Sequence, residues 1–315
     1  MAVPCQDGPN VTNGFPFFPN EIYYTEEGTP YFKECGVAMI GRTQTNLNPV
    51  FGFLHDFGES SKFTEYLDDC TDAGDLDNGA LLAKFAGQNC YQSFGPARTW
   101  NKDADRYFAN IRSQKHWSVI EHASYTFLFW GVDRSLTHEL VRHRHFSFSQ
   151  LSQRYCDGKS LRFVERPEYQ PERLQADASA ELREWVEELH ESFEEGIDKT
   201  VREYDNIAER LIEATKAGHV FLQGKSKTEL RKHTNQTARE LLCNSTEAPI
   251  VVSGNARSWR EFVDKRATAA ADVPIRELAI KVLKCLAHVS PLLFDDYEIT
   301  SLDNGTEVAK AKEAY

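Results

Sequence analysis

The segment from Arg142 to Tyr155 holds the densest group of side chains that could bind or transform a ligand. Its fourteen residues include three guanidiniums, two imidazoles and four hydroxyl groups. A planar guanidinium donates two parallel hydrogen bonds to a carboxylate or phosphate, and hydroxyl and amide groups complete such a site. Phe146, Phe148 and Leu151 alternate with the polar groups, which indicates partial burial. Because buried guanidiniums need anionic partners, the pattern predicts a binding site for a phosphorylated ligand.

Residue types alone leave other interpretations of this segment open. It could be the solvated basic end of a helix, since most charge runs face water. The histidines at 138, 143 and 145 could bind a metal, but the flanking arginines repel a divalent cation and carboxylate or thiolate ligands are lacking. We therefore expect no metal. Ser152 or Cys156 could act as a nucleophile beside a histidine, although neither lies in a G-x-S-x-G turn.

A second set of polar residues lies in the C-terminal half of the chain. Arg239 is on a predicted helix, and Asn255, Ala256 and Arg257 follow a short apolar run, where a turn would expose Asn255. Arg266 ends a predicted helix. By residue type alone, each of these groups is more typical of a surface or capping position than of a ligand site.

Composition narrows the class of protein. The formal net charge of −12 argues against a general nucleic-acid binder and against an anionic membrane surface, although a local cluster of arginines can still attract an anion. The seven cysteines form no C-x-x-C pair, which predicts reduced thiols. Residues 1–20 lack the pattern of a signal peptide, and the apolar run at 127–132 is too short to cross a bilayer. We expect a cytoplasmic protein.

Apolar periodicity predicts the elements that must position these groups. Residues 1–36 are rich in proline and glycine and predict an irregular N-terminal arm, followed by one domain over 37–315. Residues 51–77 are acidic and predict a loop, and Asn78 and Ser135 are expected to cap helices. Scattered strands and long helices without βαβ alternation predict an α+β fold. The predicted strands are Val37–Ile40, Ser124–Trp130 and Ile250–Ser253; the predicted helices run from Asn78 to Cys90, Asp103 to Gln114, Ser135 to Val141, Ala178 to Gly218, Ser226 to Leu242, Ser258 to Arg266 and Pro274 to Val289.

Several ordered motifs resemble those of one known family. The R-H-R triplet at 142–144, followed after seven residues by Ser152, resembles the signature of the flavin-dependent thymidylate synthases, the ThyX family. The resemblance extends from about Val37 to the end of the chain. It includes the runs at 85–93, 116–124, 137–140, 251–255 and 260–266. The arm before Val37 and an insertion at 56–77 are additions to the family pattern.

The resemblance implies a fold, a reaction and an assembly. The fold would be the ThyX-like α/β roll, with an antiparallel sheet and long helices, assembled as a homotetramer whose active sites are built by several subunits. The reaction would be the reductive methylation of dUMP to dTMP. Methylenetetrahydrofolate would supply the carbon, and FAD reduced by NADPH would supply the hydride. These small molecules would be the partners, with no nucleic acid and no membrane.

The resemblance also implies roles for individual residues. Arg266 would be catalytic, stabilising the anion that develops on uracil without a cysteine nucleophile. The implied FAD-binding residues are His116, Ser118, Arg142, His143, Arg144, Gln150, Asn255, Ala256, Arg257 and Glu261. The implied dUMP-binding residues are Arg134, Glu139, Leu140, Val141, Arg142, Gln150, Leu151, Ser152, Gln153, Arg154, Arg239 and Arg266.

One position departs from the family pattern. Glu261 stands where relatives carry His or Asn near the flavin, and its carboxylate could accept a hydrogen bond from FAD or Arg257 or could repel pyrophosphate.

Three hypotheses for the function of the protein follow from the sequence. The first is the enzyme, the second is a nucleotide-binding module that has lost catalysis, and the third is a nucleic-acid-binding protein, against which the net charge speaks.

Overall fold

The computed structural model describes residues 8–56, 65–66, 68–69, 76–94, 98–155 and 160–312. It combines helices with antiparallel sheet, which confirms the α+β class. Among the described residues, no helix is both long and apolar enough to span a membrane.

A six-stranded antiparallel sheet forms the centre of the fold, in the order β1-β2-β5-β6-β9-β7. Two smaller sheets accompany it, with the orders β3-β4-β8 and β10-β11. The strands are β1 (Asn10–Thr12), β2 (Phe15–Phe18), β3 (Tyr23–Tyr24), β4 (Pro30–Phe32), β5 (Gly36–Arg42), β6 (Ser124–Trp130), β7 (Ser147–Gln150), β8 (Phe163–Val164), β9 (Ile250–Asn255), β10 (Tyr297–Ser301) and β11 (Glu307–Ala311).

Helices connect and cover these strands. Two 3-10 helices, Trp117–His122 and Arg239–Leu241, also matter for the site. The α-helices are α1 (Asn48–Asp56), α2 (Asn78–Tyr91), α3 (Ala104–Ser113), α4 (Arg134–Leu140), α5 (Ala180–Lys216), α6 (Lys227–Ala238), α7 (Ala256–Arg266), α8 (Val273–Val289) and α9 (Pro291–Phe294).

Aromatic packing fixes helix α7 against the central sheet. Trp259 is fully buried, and its ring lies 5.0 Å from that of Phe127 on β6 and 4.3 Å from that of Phe146. Its indole nitrogen donates a hydrogen bond to the carbonyl oxygen of Tyr125. Burying an aromatic side chain of this size contributes about 1.5–3 kcal/mol. The same contacts therefore fix the first turn of α7 against the segment before β7.

Most of the predicted elements are confirmed. Strand β6 has the predicted bounds, and α5 differs from its prediction by two residues at each end. Ser226 and Glu229 form the predicted capping box, because each side chain accepts a hydrogen bond from the backbone of the other. Helix α6, however, ends at Ala238, and residues 239–241 continue as a 3-10 turn.

Several local predictions are wrong. The cap of α2 is Asp77 rather than Asn78, and the cap of α4 is Asp133 rather than Ser135. In both cases an aspartate directly before the first helical residue is the cap: Asp77 accepts from the backbone amides of Gly79 and Ala80, and Asp133 accepts from that of Leu136. Residues 51–56 of the expected acidic loop belong to helix α1. Most of the insertion at 56–77, and also Cys156, lie outside the described residues.

The N-terminal arm is not irregular over residues 10–32. It contributes β1 and β2 to the edge of the central sheet and β3 and β4 to a smaller sheet. The two prolines within these strands, Pro16 and Pro30, lower the strand propensity of the segment, but pairing with neighbouring strands overrides it. The division into an arm at 1–36 and a domain at 37–315 stays a prediction.

Candidate functional site

Three predicted site segments meet at one end of the central sheet. The R-H-R triplet lies just before β7, Asn255 ends β9, and Ser118 lies in the 3-10 helix before β6. Ser147 on β7 pairs with Ser253 on β9, and Ser124 on β6 pairs with Asn255. Because β9 is antiparallel to both β6 and β7, the start of β6, the start of β7 and the end of β9 lie at the same end of the sheet.

A cavity of about 320 Å³ opens beside the R-H-R triplet, and we name it the arginine cavity. Most of its wall is cationic or imidazole-bearing, and α7 supplies the opposite side. Its lining residues are Arg142, His143, Arg144, His145, Phe146, Ser258, Glu261, Lys265 and Arg266. The structure thus brings five of the predicted ligand-binding residues into one cavity wall: Arg142, His143, Arg144, Glu261 and Arg266.

Arg266 is held by two residues, Glu139 and His143, at the wall of the arginine cavity. Its Nη1 donates to the Oε2 atom of Glu139 at 2.5 Å, and its Nε donates to the Nε2 atom of His143 at 3.2 Å. Burial, followed by the nearby charges of Arg266 and Lys265, lowers the pKa of His143 to about 4. A neutral imidazole can accept this hydrogen bond, whereas a protonated one cannot. Glu139 and His143 therefore fix the orientation of Arg266.

Arg142 and Arg144 differ from Arg266 in having no counter-ion among the residues that the structure describes. Both are exposed, and no carboxylate of the described residues pairs with either one. Glu261 is paired with Lys265 one helical turn away, and the hydrogen bond from Lys265 lowers the pKa of the Glu261 carboxyl. The two acidic groups at this cavity are thus neutralised, and two guanidiniums are left to attract an anion.

The residues at the start of α7 have structural tasks. Asn255 does not lie in a turn as predicted: it caps α7 by accepting hydrogen bonds from the backbone amide and hydroxyl of Ser258. Ala256 is fully buried, and its amide donates to the carbonyl of Ala123 at 2.7 Å. Arg257 donates to Glu121 at 2.6 Å. His116 and Ser118 are exposed nearby on the sequence before β6.

A second group of predicted residues, Gln150 to Arg154, lies at the opposite end of β7. Gln150 is the last residue of that strand, and its Oε1 lies 3.5 Å from the Nη1 atom of Arg134. Strand β7 has four residues, so its ends are about 10 Å apart. The side-chain nitrogens Nε2 of Gln150, Nε2 of Gln153 and Nε of Arg154 are buried and have no hydrogen-bond partner among the described residues. Such atoms are costly unless a ligand or water pairs with them.

A second cavity, of about 300 Å³, lies at this end, and we name it the Gln153 cavity. Its lining residues are Pro30, Leu151, Gln153, Ser160, Leu161, Arg162, Tyr204, Leu242 and Glu247. Arg239 is half-buried in the 3-10 helix just before Leu242. Within the described part of the chain, the two cavities have no lining residue in common.

Two predicted dUMP-binding positions, Leu140 and Val141, differ in their burial. The side chain of Leu140 is fully buried in the core, so only its backbone could contact a ligand. Val141 follows as the C-cap of α4 and is exposed. Ser152 is also exposed, beyond the end of β7.

Several groups at the two cavities were not among the predicted site residues. Lys265 and Ser258 line the arginine cavity, Glu121 pairs with Arg257, and Arg162 lines the Gln153 cavity. Lys265 could have been found, because it precedes Arg266 and lies four residues after Glu261, where helical neighbours pair. Arg162 lies in no recognisable motif. No group of three or more potential metal ligands occurs among the residues that the structure describes.

These features define an α+β protein with a cationic cavity whose neighbouring acidic groups, Glu139 and Glu261, are already paired. The family model described as thymidylate synthase complementing protein matches residues 75–292, and the chain belongs to this family. Three relatives are named flavin-dependent thymidylate synthase. The relative from Mycolicibacterium gilvum is 43% identical, that from Mycobacterium avium 42% and that from Mycobacterium tuberculosis 40%, each over 235 residues. Each match covers 75% of this chain and 86% of the relative.

Proposed function

We propose that this protein is a flavin-dependent thymidylate synthase, a methyltransferase that converts dUMP to dTMP. Its family membership and the names of its relatives support this function. The observation that carries it is the arginine cavity, where Arg142 and Arg144, without counter-ions in the described part of the chain, lie beside the oriented guanidinium of Arg266. Such a wall suits phosphorylated ligands, because guanidiniums bind phosphate bidentately.

The residues around the arginine cavity fit a flavin dinucleotide. Arg142 and Arg144 of the cavity wall could bind its phosphates. Arg257, which pairs with Glu121, lies on the first turn of α7, and Ser118 and His116 lie on the exposed segment before β6. FAD, once reduced by NADPH, would supply the hydride that completes the methyl group. A volume of about 320 Å³ is near the lower end of small-molecule sites, so one copy of the chain would hold only part of this large cofactor.

Arg266 is the residue that we assign to catalysis. Carbon 5 of uracil becomes nucleophilic when negative charge develops on the ring, and an oriented guanidinium stabilises that charge. Glu139 and His143 hold Arg266 in position before the substrate binds, so little reorganisation is needed. No nucleophilic side chain is required in this scheme.

Ser152, Gln153, Arg154 and Arg239 suit the nucleotide phosphate, and the unpartnered nitrogens of Gln153 and Arg154 support that role. They lie at the end of β7 opposite to Arg142 and Arg266. We therefore propose that one dUMP contacts Arg266 of one copy and the phosphate-binding residues of another. This arrangement is consistent with a homotetramer, in which each active site is shared.

The remaining components follow from the reaction. Methylenetetrahydrofolate would donate the one-carbon unit, the proton at carbon 5 would leave, and NADPH would return two electrons to the flavin. The products are dTMP and tetrahydrofolate. Exposed residues around the arginine cavity leave access for the folate and the reductant. We expect the enzyme to work in the cytoplasm.

The test is an assay on the purified full-length protein. We expect a yellow protein that releases tritium from dUMP labelled at carbon 5 and forms dTMP when FAD, NADPH and methylenetetrahydrofolate are all present. Omission of FAD from the stripped protein should abolish both signals. A protein that binds FAD and dUMP but forms no dTMP would contradict the proposal and favour a nucleotide-binding module.

A further inference from the structure

The Gln153 cavity contains a guanidinium that belongs to no predicted site. Arg162 lines this cavity together with Gln153, whose amide nitrogen is buried without a partner among the described residues. The remaining wall is mostly apolar, with Leu151, Leu161 and Leu242. Holding the long side chain of a half-exposed arginine in one conformation costs conformational entropy, which contacts with the protein or with a ligand must compensate.

Arg162 is fixed from two sides. Its Nε donates to the Oε2 atom of Glu247 at 2.5 Å, and its guanidinium lies 5.2 Å from the ring centre of Phe32. Glu247 is only 4% exposed, and its Oε1 accepts a hydrogen bond from the backbone amide of Gly131 at 2.7 Å. Because Glu247 is itself anchored, it holds the guanidinium plane in one orientation.

The two Nη atoms of Arg162 remain available. Within the described residues, neither donates a hydrogen bond, while Nε alone carries the ion pair. Two further guanidiniums are close in sequence to residues of the cavity wall: Arg154 follows Gln153, and Arg239 precedes Leu242 by three residues. The three arginines together carry three positive charges against the one negative charge of Glu247, and this excess of two matches a phosphate monoester of charge about −1.5 to −2.

We propose that Arg162 is a further substrate-binding residue, which contacts the 5′-phosphate of the pyrimidine nucleotide through its Nη atoms in the Gln153 cavity. This inference rests on the proposed function. Gln153 and Arg154 supply the other donors, and Glu247 acts as a positioning residue through Arg162. The ligand is the nucleotide rather than the folate, because Arg162 shares its cavity with Gln153, which belongs to the segment assigned to dUMP.

The test compares dUMP with deoxyuridine, which lacks the phosphate. Calorimetric titrations would use the full-length flavoprotein, the Arg162→Lys variant and an Arg202→Lys control, since Arg202 pairs with Glu27 on the surface. A lysine at this position can still pair with Glu247, but it lacks the planar guanidinium that donates two parallel hydrogen bonds. We expect Arg162→Lys to bind dUMP about ten- to a hundredfold more weakly, with deoxyuridine binding unchanged and the control equal to wild type.

A double variant, Arg162→Met with Glu247→Met, removes the ion pair without leaving a buried charge and should show the same loss for dUMP alone. Urea denaturation of each variant would verify folding. Two outcomes would refute the role of Arg162: both variants bind dUMP as tightly as wild type, or both lose affinity for dUMP and deoxyuridine equally. If wild type forms dTMP in either case, the proposed function stands. If wild type forms no dTMP, the proposed function itself fails.

Discussion

Two arginines on the same helix, Arg260 and Arg266 of α7, are treated differently by the fold. Arg260 is 1% exposed, and its two Nη atoms donate to both carboxylate oxygens of Asp296 at 2.6 and 2.7 Å. It also donates to the carbonyl of Leu293 and lies over the rings of Trp117 and Tyr297. Arg266, six residues later, lines an open cavity.

The difference extends to the neighbours of each arginine. Around Arg260 the protein supplies its own counter-ion, so the charge contributes to folding and binds nothing else. Around Arg266 the counter-ion Glu139 serves one nitrogen, and the adjacent Arg142 and Arg144 have none among the described residues. Unmatched guanidiniums at a cavity distinguish a ligand-binding region from a structural one.

Loss of Arg260 should have the largest effect, and it should be on stability. Arg260→Met removes both direct hydrogen bonds to the buried Asp296 carboxylate and leaves it only the Nε atom of Arg112 at 3.9 Å. We therefore expect the free energy of unfolding to fall by about 3 kcal/mol, the lower end of the range for a broken buried ion pair. Urea denaturation followed by circular dichroism would measure it. Replacing Asp296 by Leu in the same chain should restore part of the loss. A single variant as stable as wild type would mean that the buried pair is not structural.

Arg266→Ala should act on catalysis instead. Removing one preorganised donor to a developing anion costs about 10²–10³-fold in rate, whereas the fold should survive because the side chain lies at a cavity wall. Tritium release from labelled dUMP, measured beside the denaturation midpoint, separates the two effects. Arg202→Ala, which removes a surface guanidinium, should leave turnover unchanged. Undiminished turnover of Arg266→Ala would refute its assigned role.

His143 should make stability depend on pH. Its pKa is lowered in the fold to about 4, so below about pH 6.5 the unfolded chain takes up a proton that the folded chain refuses. The associated stabilisation is complete above pH 6.5 and is lost as the pH falls towards 4. Urea denaturation across this range should show a steeper decline for wild type than for His143→Gln. Equal slopes would contradict a neutral, buried imidazole.

Glu261→Gln should have the smallest effect. Loss of the ion pair with Lys265 costs about 0.3–0.5 kcal/mol of stability. Because one negative charge leaves the wall of a cationic cavity, we expect FAD to bind about two- to fivefold more tightly, as single-charge changes near a surface contribute about 1 kcal/mol. Flavin fluorescence quenching would report this. Weaker binding would instead identify Glu261 as a direct flavin contact.

Elements with strong local signals were predictable from the sequence. The long periodic pattern of α5, the capping box at Ser226 and the aromatic strand β6 all depend on interactions within one segment. Strands β2 and β4 of the N-terminal arm, in contrast, depend on pairing with β5 and β8, which lie farther along the chain. Strand β7 has only four residues, and three of them are polar, so its sequence gives a weak strand signal inside the polar segment 142–155.

The site was predictable in its parts but not in its arrangement. The motif at 142–155 predicted the anionic character of the ligand, and the resemblance added Arg266 and Glu139. Residue order could not show that β7 separates Arg142 from Ser152, or that Arg266 is held by His143. Nor could it show that Arg162 enters a cavity with Gln153. These relations depend on sheet register and on contacts between distant segments.

A structure of the protein with FAD and dUMP bound tests the central claim most directly. The account predicts ligand phosphate oxygens within about 2.7–3.2 Å of guanidinium nitrogens of Arg142, Arg144, Arg154 or Arg162, with dUMP lying between two copies of the chain. Ligands bound elsewhere, with these same guanidiniums paired to carboxylates of a neighbouring copy, would contradict it.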